Sequence, residues 1–384
     1  MSLYNYDRSL AAAESKIEQA TYSENNKKLI FRFESYLFAE GLSKARVIKY
    51  LSQLNMIAGW ADFELDEASR EDIEYIAGIV AKKDVKDWTK HGYLTAIKRF
   101  YRWLNGGEDP EITAWIKPKV KNPVKLPEEM LPEDDIMSMV ESVDHPRDKA
   151  LVSIFWDAGG RPGELGELDI KHIVFDQYGA VAVVDGKTGM RRIRLVFSTP
   201  YLAAWINIHP DKNNPNAPLW VGIGQRGRGK KLKYAAIRMI IKRAAKKAGI
   251  RKRTYCYLFR HSRSTDLAQY LTESQMKEHL GWKQDSKMPA VYVHLSGKQI
   301  DDAMLRIHGI VKKEDHKPEL TTVICARCKH VNSTASKFCA QCGMTLSIDA
   351  AVEVEEKRSD IAMALMELVE KDPEVAEVLR KVME

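Results

Sequence analysis

At 384 residues, with 45% hydrophobic and 29% charged side chains, the chain has an ordinary globular composition and room for two or three cored domains. No apolar run is long enough to cross a bilayer, and the N-terminal stretch lacks a signal peptide's apolar centre, which points away from export. The net charge of +7 is unevenly spread: residues 349–384 hold eleven acids and five bases, whereas Gln225 to Tyr255 holds thirteen Lys and Arg and no acid.

In chain order, residues 1–20 read as a leader. Asn25 to Glu40 sets Leu29, Phe31, Phe33, Tyr36 and Leu37 at helical spacing. Gly41-Leu42 interrupts it, and Ser43 is placed to cap a second helix through Val47, Tyr50, Leu51, Leu54 and Ile57. Ser69, with Glu71 and Asp72 in the first turn, opens a third helix that runs to about Lys83. Asp87 to Leu104 is a fourth, with Trp88, Tyr93, Ile97, Phe100 and Tyr101 on one face. Residues 21–107 thus read as a helical bundle. The prolines of residues 108–131, interleaved with charges, read as an extended linker, and its basic part, Lys117 to Lys125, suits a phosphate backbone.

The second domain spans residues 132–312. Glu133 to Asp144 and Pro146 to Ala158 read as helices. Gly179 to Asp185 and Arg191 to Val196 read as strands of a hairpin turned by Gly-Lys-Thr-Gly-Met. From Tyr201 to about Ile310 the pattern is helical again. The basic stretch within it attracts a polyanion, because each phosphate it neutralises releases counterions; the plainer reading is a solvated helix face. Residues 349–384 read as an acidic helical tail with Ile361, Leu365, Leu368 and Val369 along one side.

Between domain and tail, residues 313–348 hold Cys325-Ala-Arg-Cys328 and Cys339-Ala-Gln-Cys342, ten residues apart. That is the spacing of a zinc ribbon, in which four thiolates close a tetrahedral structural site with no open position. It fits a reducing cytosol and not a disulfide framework. So short a module cannot build a core, and the metal supplies its folding energy. Cys256, outside both pairs, reads as a small buried filler.

Four segments of the second domain together resemble the tyrosine recombinase (phage integrase) family. Asp157-Ala-Gly-Gly-Arg161-Pro-Gly-Glu164-Leu165 is similar to the family's first arginine motif. The Gly186-Lys187-Thr188-Gly189 turn stands where the family carries its catalytic lysine. Tyr257-Leu-Phe-Arg260-His261-Ser262 is similar to the His-x-x-Arg-His box. Leu280-Gly281-Trp282, followed by Tyr292, matches the element that leads to the nucleophilic tyrosine. With Gly41-Leu42-Ser43 resembling the core-binding domain, the likeness covers about residues 20–310; the ribbon lies outside it. The fold implied is mainly α: a helical SAM-like core-binding domain, then an α+β catalytic domain with a small antiparallel sheet. Implied too are double-stranded DNA as partner, a homotetramer on paired sites, no small-molecule substrate, no membrane, and a cytoplasmic, nucleoid-associated setting; the ribbon, Tyr257 and the high charge content point to an archaeal one.

The side chains fit phosphoryl chemistry. Attack on a phosphodiester builds negative charge, which Arg161 and Arg260 meet with planar forks of N–H donors. Trp282 adds one indole N–H. Tyr292 is the expected nucleophile and Lys187, on its turn, the acid for the 5′-oxygen leaving group. One phosphoester bond is exchanged for another, so neither metal nor nucleotide is required for the chemistry. Glu164 is expected to buttress an arginine. Tyr257 replaces the family's usual His or Lys, and a neutral phenol is a poorer base than imidazole. His261 is expected to point elsewhere on the helix, so the base stays unassigned. A type IB topoisomerase-like strand transferase, a non-catalytic zinc-ribbon DNA-binding regulator and a metal-dependent nuclease are the alternatives.

Overall fold

The computed structural model describes residues 3–118, 129–176, 178–293, 322–333 and 336–347, with scattered positions between 350 and 366. The chain divides into two compact units, residues 2–123 and 124–384.

In the first unit the apolar spacing closes into helices α1 (Tyr6–Glu18), α2 (Glu24–Ala39), α3 (Lys44–Ala58), α4 (Arg70–Lys82), α5 (Asp87–Leu104) and the single turn α6 (Glu111–Ala114). Their apolar faces meet around Phe33, Leu37, Leu51, Ile76, Ile97 and Phe100, all but absent from the surface. Ser69 starts α4 as its sequence suggests, in a reciprocal cap with Asp72. Ser43 holds the N-cap position of α3, but its side chain makes no capping bond. Two expectations change. Residues 6–18 of the expected leader are a helix packed on α3, with Ala13 and Ile17 buried and Asn5 capping Arg8 N–H. Part of the expected linker is α6, where Thr113 and the following Ile116 are buried. In both, a few apolar residues at helical spacing were enough, because the bundle offered them a surface to cover. The basic part of the linker lies largely outside the described residues.

The second unit starts with α7 (Glu133–Ser142) and α8 (Pro146–Ala158), followed by the short α9 (Pro162–Gly166). A three-stranded antiparallel sheet follows: β1 (Ile173–Asp176), β2 (Gly179–Gly186) and β3 (Gly189–Leu195), in that order. The hairpin register pairs Gly186 with Gly189 and Val184 with Arg191. Edge strand β1 has no counterpart in the sequence reading. Only Ile173 of its four residues is buried, so it lacks the alternation that marks a strand.

Helix α10 (Thr199–Asn207) stops where Pro210, Pro215 and Pro218 forbid continuation. Residues 208–233 are a connection with one 3-10 turn, Gln225–Gly227, and not the expected helix. Its Trp220 and the α10 residue Trp205 are fully buried, their indole N–H groups donating to Leu165 O at 2.7 Å and Leu219 O at 2.8 Å. Helices α11 (Tyr234–Lys247), α12 (Cys256–Leu267), α13 (Glu273–Leu280) and α14 (Met288–Val293) complete the domain. The last pair of strands, β4 (Thr322–Ile324) and β5 (Val331–Ser333), brackets Cys325 and Cys328, and β5 packs on α10, where Tyr201 and Ser333 share a hydrogen bond. Most of the expected acidic tail, and the end of the helical run expected to reach Ile310, lie outside the described residues. No helix among the described residues is long and apolar enough to cross a membrane.

Candidate active site

The C-terminus of α13 organises the site. A helix end leaves carbonyls without intrahelical partners and carries partial negative charge. Here three consecutive carbonyls each take a guanidinium. Arg191 Nε donates to His279 O at 3.0 Å, Arg260 Nη2 to Leu280 O at 2.7 Å, and Arg161 Nη2 to Gly281 O at 2.7 Å. Gly281 makes this possible. It caps α13 in the left-handed conformation at φ +64°, and a Cβ there would stand 2.6 Å from the Arg191 guanidinium.

Arg161 sits at the junction of α8 and α9. Gly159, left-handed at φ +54°, ends α8 and directs its carbonyl to Arg260 Nη1 at 3.0 Å. Glu164, in the first turn of α9, is 6% exposed. Its carboxylate accepts from Arg161 N at 2.9 Å, Arg161 Nη1 at 2.7 Å and Arg191 Nη2 at 2.8 Å. Burial would raise the Glu164 pKa, but the bonds from Arg191 and Arg161 outweigh it and hold the carboxyl ionised, below its usual range. Two guanidiniums, of Arg161 and Arg191, therefore share one carboxylate, Arg260 has none, and the site stays positive. Burial, with Arg161 and Arg191 nearby, lowers the Arg260 pKa to about 10.

Tyr292, on α14, is 3% exposed. Its ring stacks on Trp282 at 5.5 Å between centroids and 10° between planes, and Arg260 lies 5.4 Å from the Trp282 centroid. Met276, Leu280 and Ala268 complete its apolar surroundings. Burial raises the Tyr292 pKa above the usual phenol value, although Arg260 opposes this. The hydroxyl is hydrogen-bonded to His261 Nδ1 at 2.7 Å. His261 was expected to face elsewhere; it lies one residue past Arg260, about 100° around α12, and that turn aims it at α14 while Arg260 addresses α13. Lys187 is exposed on the β2–β3 turn, and the next residue, Thr188, donates to Gly281 O at 3.2 Å. Tyr257 does not join the cluster: it is 42% exposed in the first turn of α12, and among the described residues it makes no hydrogen bond with Tyr292.

This arrangement has relatives. Residues 129–299 match the phage integrase family. They belong to it. A tyrosine recombinase, XerA of Pyrococcus horikoshii, is 24% identical over 281 residues, which cover 73% of this chain and 93% of that protein. The crystal structure of the XerH site-specific recombinase on its palindromic difH substrate, a post-cleavage complex, superposes with a TM-score of 0.54 at 16% identity. It spans 80% of this chain and 96% of its own. A lambda integrase tetramer bound to a Holliday junction gives a TM-score of 0.53 at 16% identity, over 68% of this chain and 78% of its own.

Within this phage integrase domain Arg191 escaped the sequence reading. One arginine on a hairpin strand is unremarkable; the only available hint was its two-residue distance from the Gly186–Gly189 turn. The basic run is a real surface. α11 buries Ile237, Ile240, Ile241, Ala244 and Ala245 and exposes Arg238, Lys242, Arg243, Lys246 and Lys247.

The four ribbon cysteines also come together. Their sulfurs all lie within 4.8 Å of one another, with Cys325–Cys342 at 3.6 Å and Cys328–Cys339 at 3.5 Å. Asn332 is fully buried beside them. It donates to His330 O at 2.9 Å and Cys339 Sγ at 3.7 Å and accepts from Ala340 N at 2.9 Å. Such a cluster can hold a metal ion.

Proposed function

We propose that this chain is a site-specific DNA recombinase that cuts and rejoins DNA through a 3′-phosphotyrosyl intermediate on Tyr292. The observation that carries the reading is the convergence of three arginines on one helix end beside a buried, Trp-stacked tyrosine. A guanidinium has five N–H donors, more than the carbonyl and carboxylate contacts here occupy, so Arg161 and Arg260 keep donors for the non-bridging phosphate oxygens. Their excess charge is matched to a phosphodiester that becomes more negative as Tyr292 attacks. Trp282 adds an indole N–H. Lys187, held near Gly281 by its neighbour Thr188, protonates the departing 5′-oxygen. The exposed basic face of α11 tracks the DNA backbone. The protein works as a tetramer on paired sites, in the manner of the lambda integrase complex. Tyr257 stays outside the chemistry in this seating.

The four ribbon cysteines hold a structural zinc. Soft thiolates in a closed set of four suit that ion and leave no position for a substrate. When bound it supplies folding energy and no step of the strand transfer.

The test is direct. DNA recovered by selection from a random library is rebuilt as a nicked duplex, so that the cleaved strand end diffuses away. Wild type is expected to form a protease-sensitive DNA adduct and Tyr292→Phe none. An adduct of equal yield in Tyr292→Phe would end the reading.

A further inference from the structure

We propose that His261 is the base that takes the Tyr292 phenol proton, a part left open because Tyr257 stands at the position where the family usually has His or Lys. The proposal rests on Tyr292 as the nucleophile. His261 Nδ1 lies 2.7 Å from Tyr292 Oη, with the rings 6.1 Å apart and inclined by 31°. That contact comes from packing and not from sequence proximity. The two residues are 31 positions apart, and α12 and α14 meet directly. The His261 carbonyl accepts from Thr265 Oγ1 at 3.1 Å. For the contact to serve catalysis the imidazole must be neutral, with Nδ1 bearing the lone pair and Nε2 the proton.

The need for a base follows from the seating of the phenol. Tyr292 is buried against Trp282, Leu280, Met276 and Ala268, none of which ionises. The charged and titratable groups that act on it are Arg260, which favours the phenolate, and Tyr255, which disfavours it. Burial exceeds the help from Arg260 and from the Ser264 hydroxyl, so the phenol stays protonated until something accepts its proton. In the step itself the Oη–H proton moves to His261 Nδ1, and an Oη lone pair forms the bond to phosphorus. The P–O5′ bond breaks, its electron pair leaves on O5′, and Lys187 protonates that oxygen. Religation runs these transfers backwards and returns the proton from His261 to Tyr292.

The test uses the full chain and the nicked duplex described above, in single turnover at saturating DNA. A positioned base contributes about 10²–10⁴ in rate, so His261→Ala is expected to form adduct at least about 100-fold more slowly. The wild-type rate should rise with pH, about tenfold per unit, until the imidazole is neutral, and His261→Ala should lose that dependence. His261→Gln accepts the same hydrogen bond but cannot take the proton. It should be as slow as His261→Ala; recovery of the wild-type rate by Gln would reduce His261 to a positioning residue and overturn the proposal. Replacing the bridging 5′-oxygen by sulfur removes the need for an acid, because a thiol ionises near pH 8.5. That substrate should rescue Lys187→Ala and leave His261→Ala slow, and rescue of both would also overturn it. The two readings fail separately. No adduct from wild type, or one from Tyr292→Phe, removes the nucleophile; a normal Tyr292 adduct with an unimpaired His261→Ala removes only the base. Thermal unfolding and DNA anisotropy of each variant separate lost chemistry from lost structure.

Discussion

The arginine cluster and the cysteine ribbon set the same physical problem and solve it in different ways. Each gathers groups of like charge: three guanidiniums at the end of α13, and four thiols that become thiolates on binding a metal, within 4.8 Å of one another. Like charges at such range repel unless something of opposite sign stands among them. In the ribbon we assign that part to a permanent zinc, which saturates the site. In the arginine cluster one carboxylate, Glu164, and a row of carbonyl dipoles neutralise only part of the charge. On the proposed function the remainder is left for a phosphate. A saturated cluster is a staple, and an unsaturated one is a binding site.

The strongest way to break this comparison is to remove the metal. Chelation should unfold the ribbon, seen as rapid proteolysis around Cys325–Cys342, and metal analysis before treatment should give about one zinc per chain. Adduct formation by the arginine cluster should survive. Its loss while the rest of the unit remains folded would mean that the two clusters are not independent. Next in size, Arg260→Ala or Arg161→Ala should slow adduct formation by about 10²–10³-fold, measured on the nicked duplex. Glu164→Gln then tests the partial neutralisation. It leaves Arg161 and Arg191 facing no carboxylate in a buried site, and should lower unfolding free energy by about 3 kcal/mol, read by denaturant titration. The smallest effect is expected at Asn332, whose side chain supports Cys339 from outside the metal shell. Asn332→Ala should weaken metal retention about 10- to 100-fold, measured by competition with a chromogenic chelator.

Legibility in the sequence followed the range of the interaction that decides each feature. Helices α2 to α5, α7 and α8 declare themselves through apolar spacing and local caps, and both C-x-x-C pairs through ligand spacing. The leader that became α1, and α6 within the linker, were missed because each has only a few apolar residues, whose value depends on the surface they cover. Edge strand β1 gave no alternation, since three of its four residues face solvent. The connection at 208–233 is marked by its prolines, although the helical pattern on either side runs up to it. Within the site, Arg161, Arg260, Trp282 and Tyr292 were named from motif order, and the structure gathers them. Glu164 buttresses Arg161, and also Arg191, which no motif marks.

The sequence alone determined which residue types were available and at what spacing: arginine forks, a phenol, an amine on a tight turn, and four thiols in two pairs. These are properties of side chains and of local backbone, and they name the class of chemistry. Tertiary structure decided which groups face one another. Three carbonyls in a row at one helix end chose their arginines, one from each of three distant segments, and a turn of about 100° along α12 sent His261 to Tyr292 while Tyr257 was left outside. Such pairings depend on how helices lie across each other, a relation that no spacing along a single segment encodes.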